Sequence, residues 1–88
     1  MYPILVHMKG DKHTTNEEHL RRLLRHARKQ RGLTQAALAA MLCKPQSFVS
    51  KYESGERLLS FVETIDACRA LNLDPKALLG EYLTHHDA

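Results

Sequence analysis

Four polar side chains stand where a helix leaves them facing solvent: Gln46, Ser47, Ser50 and Lys51. They belong to the stretch Leu33 to Gly55, LTQAALAAMLCKPQSFVSKYESG, which reads as two short helices joined by a tight turn. In the second helix Val49 and Tyr52 fall on the opposite, inward side. The outward set donates and accepts hydrogen bonds, and none of it is an activated nucleophile. A small protein that holds such a helix on a compact apolar base has built a probe for base edges in the DNA major groove.

Other chemistries find little support. No Ser/His/Asp set, phosphate loop or paired acids in an apolar pocket is visible, so the chain is not expected to be an enzyme. His7, His13, His19, His26, His85 and His86 show no i, i+4 pair on a helix and no cysteine at ligand spacing. Neither a metal nor a cofactor is expected. Cys43 and Cys68 lie far apart and read as reduced, small apolar residues of a cytoplasmic protein. No run approaches the roughly 18 apolar residues of a membrane span. The opening MYPILVHMKG is too short for a signal peptide and lacks its basic start.

Charge separates the chain into three parts. Residues 20 to 57 carry nine Lys/Arg against Glu53 and Glu56, a local balance of +7, while residues 1 to 19 sum to −1 and residues 58 to 88 to −3. The positive stretch includes the two-helix segment, so its field draws a polyanion to that part of the molecule.

The elements that must hold the probe are legible as punctuation and period. With 88 residues, 43% apolar and only 6% aromatic, the chain suits one domain with a Leu/Ala helical core. Thr14 with Glu17, or Thr15 with Glu18, forms a capping box for a first helix. Leu20, Leu23, Leu24 and Ala27 mark its buried stripe, and Gly32 its end. A second helix runs from a Thr34 cap to about Leu42, burying Leu38, Ala39 and Leu42. Lys44-Pro45 breaks it, and the third spans Gln46 to Ser54, stopped by Gly55. Ser60 and Glu63 box the start of a fourth, with an apolar stripe of Phe61, Ile65, Cys68 and Leu71 and an end at Asn72. Asp74-Pro75 opens a fifth that carries Leu78, Leu79, Tyr82 and Leu83. Tyr2-Pro3-Ile4-Leu5-Val6 is a short β-prone run closed by Gly10-Asp11. The division is a 1–13 arm or dimer strand, a 14–83 domain, and a disordered 84–88 tail.

From Leu20 to Leu79 the sequence resembles the lambda-repressor/Cro-type helix-turn-helix family, the Xre family. The resemblance rests on Arg28 four before Gly32, Leu33-Thr34-Gln35, Leu38-Ala39, Leu42, Gln46-Ser47, Val49-Ser50, Glu53, Gly55, Ala70-Leu71 and Leu78-Leu79. It implies an all-α, compact five-helix domain, here with a short N-terminal extended arm or strand. It also implies roles. Gln46 and Ser47, then Ser50 and Lys51 one turn later, match positions that meet base edges, and Gln, Ser and Lys can all make such bonds. Gln35 matches a residue that binds a DNA phosphate and braces the first residue of the recognition helix. Lys44, Ser54, Arg57 and Arg28 join it as expected phosphate contacts. Arg28 and Glu53 match a pair that joins the first helix to the end of the third.

Three positions depart from the family pattern. Cys43 stands where Gly is usual, so the turn must accept a side chain. Pro45 replaces a Ser or Thr cap. Phe48 occupies a commonly small, polar position, and either packs against the turn or a neighbouring helix, or meets a thymine methyl group.

One such domain covers few base pairs, and a dimer on two half-sites about one DNA turn apart solves this. The expected seam is Leu79, Tyr82 and Leu83, with Tyr2, Ile4 and Val6 as an intersubunit strand. The reading is a dimeric repressor of transcription on an inverted repeat. The alternatives are an antitoxin that binds a toxin and represses its own operon, a restriction-modification controller, and an interaction module that no longer binds DNA.

Overall fold

The computed structural model describes residues 15–86, with side chains from 16 to 84. The expected arm, its dimer residues Tyr2, Ile4 and Val6, and the Thr14 cap lie outside these residues. Five helices follow in order: α1 Thr15–Gln30, α2 Gln35–Met41, α3 Gln46–Ser54, α4 Phe61–Ala70 and α5 Pro75–His86. No strand occurs among the described residues.

Local chemistry sets where each helix begins. The Thr34 hydroxyl accepts from the Ala37 N–H at 3.0 Å and opens α2. Pro45 precedes α3 with extended backbone and offers no side-chain bond, as the sequence implies. At α4 the capping box is complete: the Glu63 N–H donates to Ser60 Oγ at 3.1 Å, and the Ser60 N–H donates to the Glu63 carboxylate at 2.9 Å. Asp74 Oδ1 takes the Lys76 N–H at the head of α5.

Three helices end in the same way. Leu33 N–H reaches Arg28 O while Gly32 N–H reaches Lys29 O; Lys44 and Cys43 do likewise to Ala39 and Ala40, and Leu73 and Asn72 to Cys68 and Arg69. Each is a Schellman closure, which needs a left-handed residue at its corner. Those corners are Gly32 (φ 70°), Cys43 (φ 57°) and Asn72 (φ 56°).

Leu24, Leu38, Ala39, Val49, Tyr52, Cys68, Leu71 and Leu78 form one buried cluster fed by all five helices. Full burial of each large aliphatic side chain contributes about 2 kcal/mol. α2 and α3 pack most extensively, α1 lies against both α3 and α5, and α4 against α5. The Arg31 guanidinium donates to Leu71 O at 2.8 Å and ties the end of α1 to the end of α4. His19 stacks on Tyr82 with ring centroids 5.6 Å apart, so the start of α1 meets the far half of α5.

Two expectations need correction. Phe61, read as part of the buried stripe of α4, is 81% exposed, and Ala67 is buried instead. Phe61 is the first residue of its helix and overhangs the core that Cys68 enters two turns later. The chain beyond Leu83 is not all tail, because α5 continues through His86 and Thr84 Oγ1 donates to Gly80 O at 2.8 Å.

Candidate nucleic-acid interface

α3 carries its two buried residues, Val49 and Tyr52, three apart on one side. That leaves Gln46, Ser47 and Lys51 exposed and Ser50 half-buried at the edge of the same face. The side chains of Ser47 and Lys51 make no hydrogen bond or ion pair with other described residues and can reach a ligand without losing one. The Ser50 hydroxyl donates to Ser47 O at 3.3 Å, so its lone pairs are the part it offers outward.

A chain of bonds fixes this helix against α1 and α2. Arg28 Nε and Nη2 donate to the two Glu53 oxygens at 2.7 and 3.0 Å, and Nη1 donates to Leu33 O at 2.7 Å. Gln35 Nε2 donates to Glu53 Oε1 at 2.9 Å. Gln46 Nε2 then reaches Gln35 Oε1 at 3.5 Å, the outer limit of a hydrogen bond. The buried ion pair therefore orients Gln35, and Gln35 orients the first residue of α3. Hydrogen bonding to Glu53 raises the Arg28 pKa above its ordinary value and keeps the guanidinium charged.

On the other flank, Phe48 is half-buried and packs edge-on to Tyr52, with centroids 5.7 Å apart. Lys44 Nζ and the Arg57 guanidinium lie over its ring at 5.4 and 4.7 Å. Of the two roles open to Phe48, packing beside the turn is the one this arrangement supports. Arg57 also donates through Nη1 and Nη2 to the two Glu63 oxygens, both at 2.9 Å. With the Ser60 N–H, this holds the Glu63 carboxyl down to about 2.

The expected phosphate contacts divide accordingly. Gln35 keeps one amide hydrogen unspent, and Lys44 is exposed. Arg28 is only 7% exposed, and its guanidinium is committed to Glu53 and Leu33. Arg57 is a strap between the loop and α4, with both terminal nitrogens engaged. The Ser54 hydroxyl donates to Lys51 O and accepts from the Glu56 N–H, which makes it a cap for the end of α3. The strap from Arg57 to Glu63 escaped the sequence reading because six residues of loop and helix start have no fixed geometry.

An exposed helix of short polar side chains, carried on a preceding helix and buttressed from beneath, defines a helix-turn-helix protein. The helix-turn-helix family pattern matches residues 24–78. Among solved structures, an XRE-family like protein from Pseudomonas syringae pv. tomato str. DC3000 superposes with a TM-score of 0.82 and 39% identity, over 97% of this chain and 99% of that one. No curated protein matches the chain. The chain belongs to the Xre family of helix-turn-helix proteins and is a DNA-binding transcription regulator.

Proposed function

We propose that this protein is a sequence-specific repressor that binds an inverted-repeat operator as a homodimer in the cytoplasm, with α3 in the major groove. The observation that carries the reading is the bracing of exposed Gln46 by Gln35, Glu53 and Arg28, which prepositions the end of α3 that enters the groove. Gln46, Ser47, Ser50 and Lys51 read bases, while Gln35 and Lys44 hold backbone phosphates. Selection of bound duplexes from a random pool tests this. The wild type should enrich one symmetric motif. Lys51→Ala should relax preference at one base step, whereas Gln35→Ala should weaken all sequences alike. A pool that emerges without a motif would remove sequence-specific recognition.

Dimerisation is supported by an apolar face on α4 and α5. Leu79 is 57% and Leu83 45% exposed, next to the projecting Phe61. A cleft of about 450 Å³ opens between Phe61 and Leu79, walled by Leu20, Leu59, Ile65, Leu78 and Tyr82. A second copy covers this face in the proposed assembly, burying Phe61 in the facing cleft. Leu79→Glu should then give a monomer by light scattering that retains its helical circular dichroism. A wild-type protein that stays monomeric at micromolar concentration and on DNA overturns the dimer. The same apolar face supports the antitoxin reading, in which a toxin segment takes the place of the second copy; co-purification with the product of a neighbouring gene separates the two.

A further inference from the structure

The two guanidiniums expected at DNA phosphates, those of Arg28 and Arg57, are held by Glu53 and Glu63. A helix about 10–12 Å wide that enters a groove about 12 Å wide has a phosphate backbone along each flank. On the flank of Phe48 and Lys51, exposed Lys44 supplies a cation. The opposite flank, along Gln46, Ser50 and Glu53, faces α1.

There α1 runs past the end of α3 and leaves a cleft of about 230 Å³ lined by Glu18, Arg21, Arg22, Arg25, Glu53 and Ser54. Positions 21, 22 and 25 recur at helical spacing on the side of α1 that also carries Arg28, so they lie alongside α3. The Glu53 charge is answered by Arg28, which leaves Arg22 and Arg25 facing the single carboxylate of Glu18. Glu18 sits 4.0 Å from Arg22, whose side chain is 75% exposed, a contact too open to withhold that arginine from a ligand. Arg25 is exposed one turn further on. Arg21 is packed against the end of α3. A Cβ at Gly55 would lie 3.1 Å from its Cζ, so the glycine both accepts φ 91° and makes room for the guanidinium.

We propose that this cleft is a seat for DNA backbone phosphate, with Arg22 and Arg25 as its donors and Arg21 forming its inner wall. The proposal rests on α3 being the element in the major groove. It adds a positioning site on α1 that fixes the tilt of α3 from the side away from Lys44. The ligand is a phosphodiester because a planar guanidinium fork matches two phosphate oxygens, and because the row of cations runs along the helix as a strand does.

Fluorescence anisotropy on a mixed-sequence duplex about two turns long, repeated over a salt series, tests the seat. The double variant Arg22→Gln/Arg25→Gln should bind more weakly, with a log-log salt slope less negative by about 0.9 for each phosphate the cleft holds. Its ranking of different sequences should stay that of the wild type. Lys76→Gln, on the exposed start of α5, removes a charge away from the cleft and should leave the slope unchanged. An unchanged slope in the double variant, or an equal change in Lys76→Gln, overturns the seat while leaving α3 as the reader. A wild type without salt-dependent binding to any duplex overturns the reading of α3 itself.

Discussion

Arg28 and Glu53, 25 residues apart, meet through two parallel hydrogen bonds of 2.7 and 3.0 Å at side-chain exposures of 9% and 5%. This pair is the joint between α1, which opens the domain, and α3, the proposed reader of DNA. Taking two charges out of water is costly, and the pair recovers that cost only while both partners remain. Arg28→Met or Glu53→Met alone should therefore destabilise by about 3 kcal/mol. The double variant should lose clearly less than the sum of the two. Urea denaturation of the four proteins measures the coupling, and additive losses would show that the joint carries no pairwise energy.

Cys43 occupies the left-handed corner of the turn between α2 and α3, where its Cβ crowds the backbone. Relief of that strain should exceed the extra unfolded-state entropy that glycine brings. Cys43→Gly is expected to raise stability by roughly 0.5 kcal/mol. Cys43→Val should lower it, since a β-branched side chain fits this region worst. Thermal melts of the two variants check the order, and a Gly variant less stable than wild type would contradict it.

These two sites also show what a sequence discloses. The corner at Cys43 was marked only through family resemblance. Gly32, Asn72 and the Ser60–Glu63 box each stand where the spacing placed them, because helix ends are local events fixed by a few neighbouring residues. The outward face of α3 was legible for a related reason: Val49 and Tyr52 fix its rotation. Pairing between distant residues is another matter. Arg28 and Glu53 were matched only through family resemblance. Nothing in the order of residues told that Arg57 would close on Glu63, or that Arg21 would lie over Gly55. Phe61 fitted the period of α4, but period does not say how far a core extends along a helix.

Tyr52 fills the centre of the core, yet its hydroxyl is buried without a hydrogen-bond partner among the described residues. Burial pushes its pKa up to about 12. An unsatisfied buried hydroxyl gives up water and receives little in exchange. Tyr52→Phe keeps the ring and its edge-on contact with Phe48 while removing that polar atom. The substitution should stabilise the domain by about 1 kcal/mol. Chemical denaturation decides it: a loss of similar size would mean that the hydroxyl has a partner in the folded protein.

Glu63 makes the stability of the loop between α3 and α4 depend on pH. Two bonds from Arg57 and one from the Ser60 N–H favour its ionised form and lower its pKa from an ordinary 4.5 to about 2. A depressed carboxyl binds its proton more weakly in the folded chain than in the unfolded one. Its contribution is therefore complete above about pH 5 and is lost as pH falls through 4 toward 2. Glu63→Gln abolishes the titration and the charge on Arg57's partner. The variant should be less stable than wild type at pH 7, and the two melting curves should converge as pH approaches 2. A difference in melting temperature that stayed constant from pH 7 to pH 2 would place the effect in packing and not in the charge that joins Arg57 to α4.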